Sequence, residues 1–448
     1  MGALLLSLLL SQAPDGGSTP PLEAGPPVRL MAGAELEAGV LPSGFGGPSA
    51  GGLDVMAGLR PMLGLTVADS FSLQLGPLLR LRVIDTAPLQ RDDDIGGVLR
   101  GEDWDRLGDF GELLQVLRVG ADTSAFQLRA GPVHQKTLGL GHLLLRYSNR
   151  LNADARPAGA TATLSVGPVK GELFAADVLA ARLFAGEVTW DVGRTFSGDA
   201  TVHGRYLLAL SLAHDFSVGT PGRGLQVACT NDCSIQTVPP TATLAHLDAS
   251  FVVLRSQALS LMGLAGLGAR ANQSRDLGFL AGLAMDVRVP SVELSLRAEG
   301  RKQAGGFRHG FFGAQYEVAR FSGTGLGLTP LADEALPDAF SVFGEMRLRL
   351  ARTVTVDGTV EHFTFGRTDF DATVKVTALD ERLVAEARLG AMGLGVAPRW
   401  VASAGLRWRL FQSFYVLGSG GTVFFPQPDG TLSRGVTVSA GVGVDLER

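Results

Sequence analysis

VELSLRAEGR, residues 292–301, divides into two sets: Val292, Leu294, Leu296, Ala298 and Gly300 alternate with Glu293, Ser295, Arg297, Glu299 and Arg301. Side chains of an extended strand point to opposite faces with period two, whereas a helix would scatter these charges around its circumference. The stretch therefore predicts a strand with one apolar and one charged face. The fold turns on which solvent each face meets.

The same pattern recurs along most of the chain. Met346, Leu348 and Leu350 oppose Arg347 and Arg349; Ala372, Val374, Val376 and Ala378 oppose Asp371, Thr373, Lys375 and Thr377; Leu383, Ala385, Ala387 and Leu389 oppose Val384, Glu386 and Arg388. Strand is the default state. The breaks come in two sizes. Short ones fall at 68–70, 122–124, 167–170, 256–257, 290, 352, 380–382 and 411–413, and long polar or Gly/Pro-rich ones at 40–51, 87–110, 133–157, 217–241, 303–340 and 426–433. Placing short turns at one end and long loops at the other gives about 20 strands (roughly 18–22), with both termini on the short-turn side. The same walk makes 303–340 one long excursion, either an inward fold that narrows a lumen or an extracellular hairpin.

Composition narrows the classes. With 46% hydrophobic residues, 60 Gly and only 19% charge, the chain is too apolar for disorder, yet it contains no uninterrupted apolar run long enough for a membrane-spanning helix. High hydrophobicity divided into short segments is the signature of transmembrane strands. A net charge of −5 without a basic stripe argues against nucleic acid as a partner.

Alternation alone does not say which face is buried. A closed sheet of about 20 strands is too wide for side chains to fill, so its interior holds water or a plug and the apolar face must meet lipid. In RWVASAGLRWRLF, residues 399–411, Trp400 and Trp408 share the parity of Ala402, Ala404, Leu406 and Leu410. Eight residues at about 3.4 Å, tilted by roughly 40°, set the indoles about 20 Å apart along the membrane normal, the height of an apolar band with aromatics at both rims.

From about Val28 to Arg448, the alternating segments, terse turns and generous loops resemble the outer-membrane β-barrels of Gram-negative bacteria, porin-like channels in particular. The resemblance implies an all-β fold, a single transmembrane antiparallel up-and-down barrel over 28–448. It also implies an outer-membrane location, contact with the lipid bilayer and lipopolysaccharide, insertion by the outer-membrane assembly machinery, and a homo-trimer. One feature departs from the pattern: such barrels commonly end on an aromatic residue, and this sequence ends SAGVGVDLER. Residues 1–13 read as an irregular signal peptide, apolar from Ala3 to Leu10 but without a preceding Lys or Arg, and 14–27 as a disordered linker. Cys229 and Cys233, in ACTNDC, are expected partners of a small loop disulfide in an oxidising compartment.

No enzyme chemistry stands out. The seven histidines, at 134, 142, 203, 214, 246, 309 and 362, form no spaced pair of a helical zinc site and none sits in a nucleophile elbow, so neither a catalytic nor a metal site nor a cofactor is expected. LGLGHLLLRYSNRLN, residues 138–152, joins glycines to His142, Arg146, Tyr147 and Asn149. These side chains either contact a solute from a pore mouth or inward loop, or belong to a Gly-bent strand whose loop pins itself. The acidic run 91–109 either holds a divalent cation or is a solvated loop. The charged face supplies the expected pore lining: Glu293, Arg297, Glu299, Arg301, Arg347, Arg349, Asp357, Glu361, Glu386, Arg388, Arg407 and Arg409. The function expected is passive diffusion of small polar solutes through a charged lumen narrowed by inward loops. Its rival is a structural or adhesive barrel with a sealed lumen and partner-binding extracellular loops.

Overall fold

The computed structural model describes residues 28–42, 52–86, 98–151, 155–218, 226–230, 232–236, 241–271, 276–321, 331, 334–351, 353–396, 398–426 and 432–447. The first strands are β1 (Val28–Pro42), β2 (Leu53–Val67), β3 (Phe71–Leu75 with Leu79–Ile84), β4 (Leu114–Val119), β5 (Phe126–Gly131), β6 (Gly159–Val166) and β7 (Val169–Ala175). They are followed by β8 (Leu183–Asp191), β9 (Tyr206–Asp215), β10 (Ala242–Arg255), β11 (Leu259–Arg270), β12 (Leu277–Val289), β13 (Val292–Gly305) and β14 (Leu336–Leu350). The last are β15 (Val354–Phe363), β16 (Thr368–Ala378), β17 (Leu383–Leu394), β18 (Arg399–Arg409), β19 (Phe414–Pro426) and β20 (Leu432–Glu447). The two pieces of β3 both lie along β2 and are interrupted at Gly76–Pro77–Leu78, because proline has no amide hydrogen to give a ladder.

Each strand pairs antiparallel with its neighbour in sequence, and β1 pairs with β20 from Met31↔Glu447 to Val40↔Val438, which closes the sheet. Among the described residues this is a closed 20-strand up-and-down barrel. The short turns expected at 68–70, 122–124, 167–170, 256–257, 290, 352, 380–382 and 411–413 all fall at one end with both strand termini, and the long connections fall at the other, where two further connections, 364–367 and 395–398, are also short. One short-end connection, between β8 and β9, is longer and carries two short helical segments, Val192–Phe196 and Ala200–Val202.

Burial is inverted relative to a water-soluble protein. The outward faces carry the apolar residues, Leu63, Leu173, Leu210, Leu247, Leu283, Val342 and Leu406 among them, all exposed at the protein surface. The inward faces carry buried charge, including Glu172, Glu187, Asp248, Glu299, Arg301, Asp357, Glu361 and Asp371. Exposed aromatics gather at both ends of the strands. Phe126, Tyr206, Phe251 and Trp408 lie toward the short turns, and Phe184, Phe279, Phe340 and Trp400 toward the long loops. Two aromatic girdles flanking an apolar band make this a transmembrane barrel of the outer-membrane kind.

A few sequence expectations needed correction or fall elsewhere. Segment 306–321 does not form an external hairpin; it enters the barrel, where Phe307, Phe311, Phe312 and Tyr316 are buried. The acidic run is not a freely solvated loop where it is described. Asp103 pairs with Arg80 at 3.1 Å and Arg100 at 2.5 Å, and Glu102 with Arg82 at 3.0 Å, so arginines of β3 and of the run itself neutralise it. Residues 1–27 and Arg448 lie outside the described residues, as do the side chains of Cys229 and Cys233. The backbone there forms a separate two-stranded hairpin that sets the two cysteines directly opposite one another.

Candidate functional site

Among the described residues, two connections fold into the lumen. The first, between β5 and β6 and described over 132–151 and 155–158, doubles back on itself: Lys136 and Tyr147 exchange backbone hydrogen bonds of 2.8 Å, and the Leu138 amide donates to the Leu144 carbonyl at 3.0 Å. Its tip requires glycine. Gly139 sits at φ +53°, and a β-carbon there would collide with the Glu187 carboxylate of β8. Asn149 pins the base of the loop, accepting from the Val133 amide at 3.0 Å and donating to the Ala176 carbonyl at 2.8 Å.

The second inward connection, after β13, runs beside the first. The amide of Phe312 donates to Leu143 (3.0 Å), that of Leu145 to Phe312 (3.1 Å), and that of Gly310 to His142 (2.8 Å). The two loops share an apolar core of Leu138, Leu143, Leu144, Tyr147, Phe307, Phe311, Phe312 and Tyr316, packed on Phe174, Leu183 and Leu244 of the wall. Buried apolar area holds the plug together; ion pairs hold it to the barrel. Arg146, at φ +53°, forks between Asp357 of β15 and Asp371 of β16, donating to the latter at 2.8 Å. The Tyr147 hydroxyl donates to Glu317 at 2.5 Å, and Arg182 donates to the same carboxylate at 2.5 Å. Burial, with the Glu317 carboxylate beside it, holds the Tyr147 phenol well above its ordinary value, so it stays a donor.

His142 stands where the loops meet the wall. Its Nδ1 faces Asp248 at 2.5 Å and its Nε2 faces Glu299 at 2.9 Å. Around it, Arg301 is enclosed between Glu299 (2.8 Å) and Glu361 (3.0 Å) with its guanidinium 3.6 Å from the Phe343 ring centroid, and Arg297 meets Glu299 at 2.7 Å and Glu345 at 3.3 Å. Arg388 binds Asp371 at 2.8 Å and the Ala314 carbonyl at 2.8 Å. Glu293 and Arg349 form a half-exposed pair (2.8 Å) at the short-turn end, and Arg407 and Arg409 share Asp445 at 2.5 and 3.0 Å. Arg347 is half-buried, and Glu386 is exposed on the same face as Arg388.

Thus His142, Arg146, Glu299, Arg301, Asp357, Glu361 and Arg388 converge on the loop contact, while Glu293, Arg349, Arg407 and Arg409 stand apart from it. Asp248, His246, Glu187 and Asp371 were not singled out from the sequence. Their signal was present: His246 and Asp248 alternate with Leu247 and Ala249 in the same two-face pattern. Nothing in a single strand announces, however, that a loop about a hundred residues earlier arrives opposite them.

A recess on the short-turn side of the plug is lined by Gly139, Leu140, Glu187, Asp248, Arg297, Glu345 and Arg347. A second, on the long-loop side, is lined by Arg308, His309, Tyr316, Glu361, Asp369 and Asp371.

No family model matches the chain, and no curated protein matches it. Among solved structures, OccK9 (OpdG) of Pseudomonas aeruginosa is similar over 94% of this chain and 98% of its own at 10% identity, with a TM-score of 0.38. The outer membrane protein OpdK of P. aeruginosa is similar over 94% and 99% at 9% identity (TM-score 0.37). A ferric enterobactin receptor (PfeA) mutant of the same organism is similar over 93% and 80% at 9% identity (TM-score 0.34). Overlaps this low carry neither fold nor function to this chain; the barrel stands on its own pairing and surface.

Proposed function

We propose that this chain is a pore of the outer membrane of a Gram-negative bacterium, passing small polar solutes by passive diffusion through a lumen narrowed by its two inward loops. One observation carries the reading: recesses lined by both signs of charge lie on either side of the two inward loops. Arginines and carboxylates facing one another across a narrow aqueous path set up a transverse field, which orients dipolar solutes and rewards polar over apolar ones. Barrels of 16–18 strands leave a channel and those of 22 a plugged lumen, so a 20-strand barrel with partial filling by loops fits a selective pore. Diffusion needs no cofactor, and the reading assigns none and no catalysis.

A second reading, a sealed structural or adhesive barrel whose long loops bind a partner, draws on the same lumen. Arg301 and Arg367 are fully buried in ion pairs, which is the chemistry of a closed plug. Planar bilayers separate the two. The pore reading expects stepwise conductance increments from the purified barrel; a folded barrel that inserts and stays electrically silent overturns it in favour of the sealed one.

A further inference from the structure

We propose that His142, His246 and Asp248 form a binding site for one divalent transition-metal ion, Zn²⁺-like in its preferences, clamping the first inward loop to β10. One ligand atom from each of the three lies within 4.8 Å of the others, and all three residues are buried. A tetrahedral ion bound at about 2.0–2.1 Å has donor atoms about 3.3 Å apart, so rotamer adjustments of the order of an ångström complete the set.

The arrangement around the donors is what selects a metal over a plain hydrogen-bond network. Each imidazole turns Nδ1 toward the Asp248 carboxylate, His142 at 2.5 Å and His246 at 3.0 Å, and keeps Nε2 for an acceptor behind it. For His142 that acceptor is Glu299 at 2.9 Å; for His246 it is His309 Nδ1 at 3.2 Å. Metal-bound histidines are likewise held through their outer nitrogen by a second partner, as Glu299 holds His142, and an ion would replace the present His142 Nδ1–Asp248 hydrogen bond. Moreover, His246 Nδ1 is buried and makes no hydrogen bond, the 3.0 Å approach to Asp248 being poorly aligned for one. An unsatisfied buried nitrogen is costly, and coordination satisfies it.

Charge agrees. Glu299 is already neutralised by Arg297 and Arg301, whereas Asp248 has only the two imidazoles, and Glu187 beside it is held by the Ser211 and Thr189 hydroxyls at 2.8 and 3.0 Å. Two imidazoles and a carboxylate suit zinc, nickel or copper and not calcium or magnesium, which require oxygen ligands. Asp248 also lines the recess on the short-turn side of the plug.

The test uses the full-length barrel in detergent, stripped with a chelator and titrated with Co²⁺ and, by competition with a chromophoric chelator, Zn²⁺. One equivalent is expected to bind, with the intense visible absorption of four-coordinate cobalt, while Ca²⁺ does not compete. H246A and D248N are each expected to weaken binding about 100-fold or more, E299Q about 10-fold or more, and H362A, remote on β15, not at all. Heat-modifiable electrophoretic mobility verifies folding of each variant. No saturable one-to-one binding by the wild type, or binding that survives in folded H246A and D248N, overturns the site. Should neither variant fold, a cobalt titration shifted about 10-fold or more in folded E299Q supports the site, and an unshifted one overturns it. Conductance plays no part in this readout, so the site stands or falls separately from the pore.

Discussion

At the scale of the residue, the lumen separates charges that matter from charges that do not. Arg301 is fully buried between Glu299 and Glu361, so Arg301→Met leaves the buried Glu361 without its cation and Glu299 with Arg297 alone. A loss of about 3–5 kcal/mol is expected, read as a lower urea midpoint for the barrel folded in lipid vesicles. Arg349→Ala, in a half-exposed pair with Glu293, should cost less than about 1 kcal/mol in the same assay. Asp109, between β3 and β4, titrates far from its usual range: burial, with Asp105 nearby and against the Arg106 amide that donates to it, raises it from 3.8 to about 8. The folded chain then binds more protons than the unfolded one between those values, so stability falls as pH rises through that window and is lowest above it. Hydrogen exchange of residues 98–113 should accelerate as pH rises from about 5 to 9 beyond the intrinsic base-catalysed rate, and D109N should abolish the excess.

At the scale of the element, strands and inward loops divide the work. Strand faces were legible because period two survives any tertiary context, and Val292 to Arg301 show it within ten residues. The inward course of 132–158 was open to two readings in sequence, since GLG followed by LLL describes a bent edge strand as well as a plug. What decided it is pairing across distance: Arg146 reaches Asp357 and Asp371, and Tyr147 reaches Glu317, partners more than 150 residues away. Because Leu138 and Leu144 are already bonded at 3.0 Å, residues 139–143 can be replaced by Gly-Gly without stretching the chain. The barrel should still fold, and its single-channel conductance should rise several-fold as the constriction is removed. Unchanged conductance would place the narrowing elsewhere.

At the scale of the whole molecule, lipid is the solvent for one face of each strand. The apolar band between the two aromatic girdles predicts a depth-dependent penalty. Ala404→Arg, midway between Trp400 and Trp408 on the same outward face, should destabilise insertion into vesicles by about 2–4 kcal/mol, and an arginine placed near either girdle by about 0–1. The opposite ordering would mean the band has been misplaced. Closure of the sheet is the step that makes this geometry possible, because β1 and β20 leave no unpaired edge in hydrocarbon, where an unsatisfied amide costs several kcal/mol.

The sequence by itself determined the alternation of each strand, a strand number of about 20 (roughly 18–22), the end at which loops are long, and hence which face meets lipid. These are local or periodic properties, written within ten residues or counted along the chain. Only the tertiary structure decided that two loops fill the barrel and that His142, His246 and Asp248 meet. Such encounters depend on which of many inward-facing side chains the closed sheet brings opposite a given loop, and neither hydropathy nor spacing encodes that distance.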